Sequence, residues 1–370
     1  MRIIVLTGRY AYSGVPLAQQ RFAKALAARG YEVTFLIGAV NAGFSLPVVA
    51  GVDVRQLGAE RVSKIIWPLI KILIAKKVDV IFSAGDHLNA VVLISAIVSF
   101  SKVLISCSSR VTPFDTYGGG VFGKGFLLKT VMRLVMWRAN VLTCVAKDMV
   151  HQYHKIFPGS RHVAVYNIVR DSEALTRVHE PLADKWISES PDPLIVAAGS
   201  LVPWKGFHDL IEAFAILAPT HKVRLVILGE GNERENLQNL IRKYSLEERV
   251  HLLGNVENPL KYYAAGKVFV LSSHVEGMPN VLVEAMVAGC TPVATDCPTG
   301  PRELIQALGE HYLVPMHAPE ALAEGIKFAL VNPVDKDLLR KLTSEFEESY
   351  VIERHFQLLG VNSRSVLKAG

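Results

Sequence analysis

An apolar, β-branched run at residues 3–7 closes on Gly8, and Pro16 then opens a helical pattern through Leu17, Phe22 and Leu26 that stops at Gly30. A second apolar run follows at 33–37. Strand, glycine loop, helix, strand in that order is a βαβ unit, and parallel strands can be joined only by such a crossover. The pattern therefore commits the chain to the α/β class with parallel sheets. Runs at 78–83, 103–107, 141–145 and 162–165 continue the first series, and runs at 194–198, 223–228, 250–253 and 268–272 make a second. Between them, residues 171–193 are polar, charged and broken by prolines, which reads as a linker. At 370 residues the chain exceeds one ordinary core and suits two domains, 1–170 and 194–349.

The densest chemistry lies at 274–303, HVEGMPNVLVEAMVAGCTPVATDCPTGPRE. Gly277 and Pro279 end the preceding strand, and Pro279 suits a first helical turn, where its missing N–H would be unpaired anyway. The predicted helix covers 279–288. Val281, Leu282, Val283, Ala285, Met286, Val287 and Ala288 are apolar all round, the mark of a buried helix. Glu284 is the exception, and a buried carboxylate is costly without hydrogen-bond partners. Eight residues earlier, Glu276 precedes the helix start, where free N–H groups and the helix dipole favour anions. Two carboxylates can accept hydroxyl hydrogens and a helix N-terminus can hold phosphate. A sugar nucleotide carries both kinds of group. Taken singly, Glu276 also fits a helix-start stabiliser, and Glu284 a partner for a buried Lys or Arg.

Metal chemistry finds little support. His151 and His154 lie three apart on a helical stretch without a third ligand type nearby, and Asp335-Lys336-Asp337 belongs to a charged, solvated helix. The four cysteines form no C-x-x-C pair, which favours free thiols in a reducing compartment. The uncharged run 88–101 is shorter than the roughly 20 residues of a bilayer span, and MRIIVLTG reads as a first strand, not a leader. A cytoplasmic protein is expected. Residues 1–170 hold 21 Lys/Arg against 7 Asp/Glu, net +14, and the remainder holds 19 against 27, net −8, together the stated +6. The basic half calls for an anionic partner. At 61–77 and 124–138 its cations interleave with Ile, Leu, Phe and Trp, the composition of an interfacial helix on the inner membrane face and not of a nucleic-acid surface. An ordinary core helix edged by lysines is the competing reading. Pro68 must divide or kink the first of these helices.

Glu276, seven residues, then Glu284 forms an E-x7-E pattern, and with the whole run around it this chain resembles the retaining glycosyltransferases of family 4. It looks most like the branch that builds bacterial cell-surface glycans. The resemblance implies the GT-B architecture, two Rossmann-like domains facing each other across a cleft, with a C-terminal helix at about 350–370 packed back on the first domain. It implies transfer of a hexose or hexosamine, with retention, from a nucleoside diphosphate sugar, UDP-linked, to a polyprenyl-diphosphate-linked or other membrane-bound saccharide. No metal or cofactor is required. Carried onto this sequence, it assigns Glu276 and Lys205 to catalysis. Donor binding falls to Gly14, Ser200, Lys205, Glu230, Asn255, Val256, Glu276, Gly277, Met278, Pro279, Asn280, Val281 and Glu284, with His87 and Arg110 put forward for the acceptor. Two departures stand out. Ser200 occupies the place of a usual arginine, and Ser108, Ser109 and Arg110 replace a histidine that many relatives carry. A sugar-nucleotide epimerase of the same fold and a non-catalytic nucleotide-sugar-binding protein remain as alternatives.

Overall fold

A computed structural model of the chain describes residues 1–11, 14–75, 77–118 and 123–361. The chain divides into two compact units, residues 1–168 with those from 348 onward, and residues 169–347. Each is built on one parallel sheet.

The first sheet contains β1 (Arg2–Tyr10), β2 (Glu32–Val40), β3 (Val52–Gln56), β4 (Val80–Ala84), β5 (Leu104–Ser109), β6 (Val141–Cys144) and β7 (His162–Ala164), in the order β3-β2-β1-β4-β5-β6-β7. Every residue of β4 is buried, as expected of a strand covered by helices on both faces. The sequence reading lacks β3, for a physical reason. VDVRQ lies at the sheet edge, mostly exposed, and needs no apolar run.

Pro68 does divide its segment. A 3-10 turn at Val62–Ile65 gives way to a helix at Ile66–Ala75, with Pro68 in the first turn, where no N–H is needed. The apolar run near residue 90 becomes the helix Asp86–Val98. Among the described residues no helix is long and apolar enough to cross a membrane. The helix Glu348–Leu359 completes this unit. Its Val351, Ile352, Phe356 and Leu359 share a core with Phe22, Phe35 and Phe82, and Phe356 stacks on Tyr31 at 5.2 Å. The expected helical residues 362–370 lie outside the described residues.

The second sheet contains β8 (Leu194–Ala198), β9 (Arg224–Leu228), β10 (Val250–Gly254), β11 (Val268–Leu271), β12 (Thr291–Thr295) and β13 (Leu313–Val314), in the order β10-β9-β8-β11-β12-β13. Residues 171–193, expected as a linker, belong to this unit and form short helices at Ser172–Arg177 and Lys185–Ser188. Asp171 and Asp184 cap them. Arg224 of β9 donates to the carbonyls of Trp186, Ile187, Ser190 and Asp192, and Trp186 stacks on His251 at 3.8 Å. A buried guanidinium thus ties a polar segment to the sheet, a long-range contact that composition does not reveal.

In both sheets the strand order reverses between the first and fourth strands, β1 and β4 or β8 and β11. Ligands of open parallel sheets bind beyond the carboxyl ends of the strands at that reversal.

Candidate active site

In the second unit, the reversal brings together the segments leaving β8 and β11. Backbone packs directly on backbone here. A Cβ on Gly229 would stand 1.9 Å from the Gly199 carbonyl oxygen, and one on Gly231 would stand 2.2 Å from that of Leu201. A 3-10 turn at Pro203–Lys205 ends at Gly206, whose φ of +64° and missing Cβ let the chain cross the Ser272 carbonyl. Ser272 Oγ donates to the Lys205 carbonyl at 2.9 Å, and the His274 N–H donates to the Trp204 carbonyl at 2.8 Å. Two segments distant in sequence are thereby laced side by side.

The lacing sets Lys205 Nζ 2.5 Å from Glu276 Oε1, with side chains only 19% and 9% exposed. Shielding at this depth strengthens a charge pair beyond its surface value. Ser273 Oγ donates to the same carboxylate oxygen at 2.7 Å, and the Thr299 hydroxyl donates to the Glu276 carbonyl. Gly300, at φ +87°, lets the loop after β12 press on Pro279 and Gly277. Glu276 is therefore held from several sides. Asn280–Val287 forms the following helix, with Pro279 as its capping residue instead of its first helical one, because Pro279 takes a non-helical ψ of 89°. Met278 and Pro279 are buried, Gly277, Asn280 and Val281 are half-buried, and Glu284 is buried on the helix.

The other donor residues expected in this unit follow the carboxyl ends of its strands. Ser200 is exposed just past β8, and Asn255 and Val256 follow β10. Glu230, after β9, is committed to Arg234 at 2.5 and 2.9 Å, and that hydrogen-bonded guanidinium holds its carboxyl below the usual range. Arg234 also reaches the Leu252 carbonyl at 3.3 Å, so it braces the loop–helix junction. Sequence reasoning missed Ser273 and Thr299, whose roles appear only when loops after β11 and β12 meet. It also missed a meeting of Asp209, His274 and His317, the one three-residue group of metal-ligand type among the described residues.

Gly14, His87 and Arg110 belong to the first unit. Gly14 is the first residue of the helix Gly14–Ala28, two positions ahead of the predicted start, and a Cβ there would touch nothing. His87 is exposed in the first turn of the helix Asp86–Val98, not in a loop. Arg110 lines a small cavity with Gln19, Ser83, Ser108, Asn167 and His355. Its guanidinium donates to the amide oxygens of Asn167 and Gln19, its Nε is out of solvent, and burial pushes its pKa down to about 10. Nearby Asp86 is buried, accepts from Ser109 Oγ at 2.6 Å and from Tyr153, and has its carboxyl raised by burial. All four cysteines are free and buried, and burial pushes the Cys297 thiol up to about 12.

Residues 179–348 match the family model described as glycosyl transferases group 1. That stretch, 170 of the 370 residues and nearly all of the second unit, is similar to the members of this family. An uncharacterised glycosyltransferase of Methanocaldococcus jannaschii is 28% identical over 255 residues, 66% of this chain and 62% of its own. The N-acetylgalactosamine-N,N'-diacetylbacillosaminyl-diphospho-undecaprenol 4-alpha-N-acetylgalactosaminyltransferase of Campylobacter jejuni is 38% identical over 40% of each chain. These alignments thus span less than two thirds of either relative. Among solved structures, an Anabaena protein in complex with UDP-glucose superposes with a TM-score of 0.70 at 18% identity, over 97% of this chain and 99% of that one. That likeness is one of fold, the two-domain α/β GT-B architecture.

Proposed function

We propose that the chain is a retaining glycosyltransferase that moves a hexose or hexosamine from a UDP-sugar to a polyprenyl-diphosphate-linked or other membrane-bound saccharide of a bacterial surface glycan. The observation that carries this reading is the shielded Lys205–Glu276 pair at the reversal of the second sheet, next to the start of the helix that bears Glu284. Glu276 accepts hydrogen bonds from the donor sugar and Glu284 from the ribose. Lys205 and the N–H groups at the Asn280–Val287 helix start stabilise the departing diphosphate. The anomeric carbon's bond to the β-phosphate oxygen breaks as a bond to the acceptor oxygen forms on the same face, and the acceptor's proton passes to the departing phosphate. A fixed ammonium supplies the positive charge that a metal would otherwise provide, so the reaction proceeds in EDTA. Arg110 serves the acceptor phosphate, and His87 contacts the acceptor.

The Campylobacter relative's name specifies a lipid-diphosphate acceptor, which supports the acceptor class. Surface character supports its membrane location. In the first unit, Trp67 and Ile74 on one helix, and Leu127, Leu134 and Trp137 at a second, are 66–71% exposed, while the helix Asp86–Val98 packs against both. Lys64, Lys71, Lys77 and Arg133 are exposed beside them. Apolar anchors with basic neighbours fit a protein docked peripherally on the anionic inner face of the membrane.

The deciding assay is UDP release from UDP-sugars with and without a polyprenyl-diphosphate-linked acceptor. Release only with acceptor, with the anomeric configuration kept in the product, is expected. Epimerised nucleotide sugar, or binding without turnover across donors and acceptors, would replace this reading.

A further inference from the structure

We propose that Asp209, His274 and His317 form a binding site for a divalent cation of the zinc class, separate from the Lys205–Glu276 chemistry. Asp209 Oδ2 lies 2.8 Å from His274 Nε2 and 3.8 Å from His317 Nδ1, and the three ligand atoms all fall within 4.8 Å of one another. Zinc bonds of about 2.0–2.1 Å in a tetrahedron set neighbouring ligand atoms roughly 3.3 Å apart, a spacing these distances bracket. Two imidazoles and one carboxylate are the donor set of open zinc sites, which leave the fourth position to water.

An ordinary hydrogen bond accounts for Asp209 with His274, but not for His317. That side chain is 65% exposed, yet its ring lies 3.8 Å from the His274 ring, and its backbone takes a left-handed φ of +54° that non-glycine residues seldom adopt. A shared cation explains both its direction and the close approach of two basic rings. The ligands come from three places: the first turn of the helix Phe207–Leu217, the segment after β11, and the turn before the helix Pro319–Val331. A bound ion would latch them together. Lys205 lies four residues before Asp209 and Glu276 two after His274, so the latch would fix both segments that form the pair without entering the reaction.

The test uses the full chain, stripped with EDTA and titrated with Zn²⁺ calorimetrically and with Co²⁺ as a spectroscopic probe. One equivalent per chain, tetrahedral Co²⁺ absorption bands and a raised melting temperature are expected. His317→Ala should weaken binding at least tenfold, while His221→Ala leaves it unchanged. Because His317 is exposed, its variant should keep the metal-free melting temperature and UDP binding, which separates site loss from misfolding. Absent Co²⁺ bands, or equal Zn²⁺ affinity in His317→Ala, would overturn the site. Neither outcome bears on whether UDP release requires acceptor.

Discussion

Gly206 and Glu276 lie on opposite sides of one backbone crossing, and they predict different failures. A Cβ on Gly206 would sit 2.0 Å from the Ser272 carbonyl oxygen at a left-handed φ, so Gly206→Ala must part the two segments. It should cost about 1–3 kcal/mol of stability and lower transfer as well, because the shift separates Lys205 from Glu276. Glu276→Ala leaves the crossing intact. Hydrogen bonds to a charged group contribute roughly 1.5–3 kcal/mol each, so its loss should reduce kcat/KM on the order of 100-fold with UDP binding retained. Wild-type turnover in that variant would remove Glu276 from the mechanism. Gly14→Ala makes a useful contrast. Its Cβ meets nothing, so the melting temperature should hold, and weaker donor binding would then report a close approach of the diphosphate to this backbone.

Two helices carry the docking proposal, and their faces can be tested separately from the active site. Trp67→Ala with Trp137→Ala removes exposed apolar anchors, while Lys71→Glu with Lys77→Glu reverses exposed charge; Lys76, in the same basic run, lies outside the described residues. Each cation near an anionic surface contributes about 1 kcal/mol. Vesicle sedimentation should show binding that rises with anionic lipid, falls with salt and weakens in both pairs. Equal partitioning to neutral and anionic vesicles would sink the proposal. Legibility at this scale follows contact range. Central strands announce themselves as apolar runs because both faces are buried, and the Pro68 break is local chemistry. The edge strand β3 has no such run, and the segment 171–193 is ordered by Arg224, more than 30 residues away. The site divides likewise. Lys205, Glu276 and Glu284 stand in recognisable local runs, whereas Ser273, Thr299 and His317 gain partners only through folding. Glu230 was legible as a loop residue, but its pairing with Arg234 was not assigned.

The two units should differ in their response to acid. His355 and His162, both in the first unit, are buried and neutral, held down to about 3 and about 4 chiefly by desolvation. His355 wedges between Phe22 and Phe82 at 5.1 and 5.3 Å, and His162 lies 4.8 Å from the Tyr153 ring. In the unfolded chain each titrates near 6.5, so between that pH and the folded value the unfolded state binds more protons. Their stabilisation is complete above about pH 6.5 and is lost as pH falls. At pH 5 the loss is about 2 kcal/mol for each. Asp86 acts in the opposite sense, because its carboxyl is raised in the fold and gains a proton as pH drops. Comparing wild type with His355→Gln cancels that contribution. Calorimetry at pH 7.5 and 5 should show the first unit's transition falling more steeply in wild type than in the variant. UDP should mark the other transition by raising it, since only the second unit contains Lys205 and Glu276. A wild-type transition that stays constant between those pH values, or an equal fall in His355→Gln, would contradict the assignment of a buried neutral histidine.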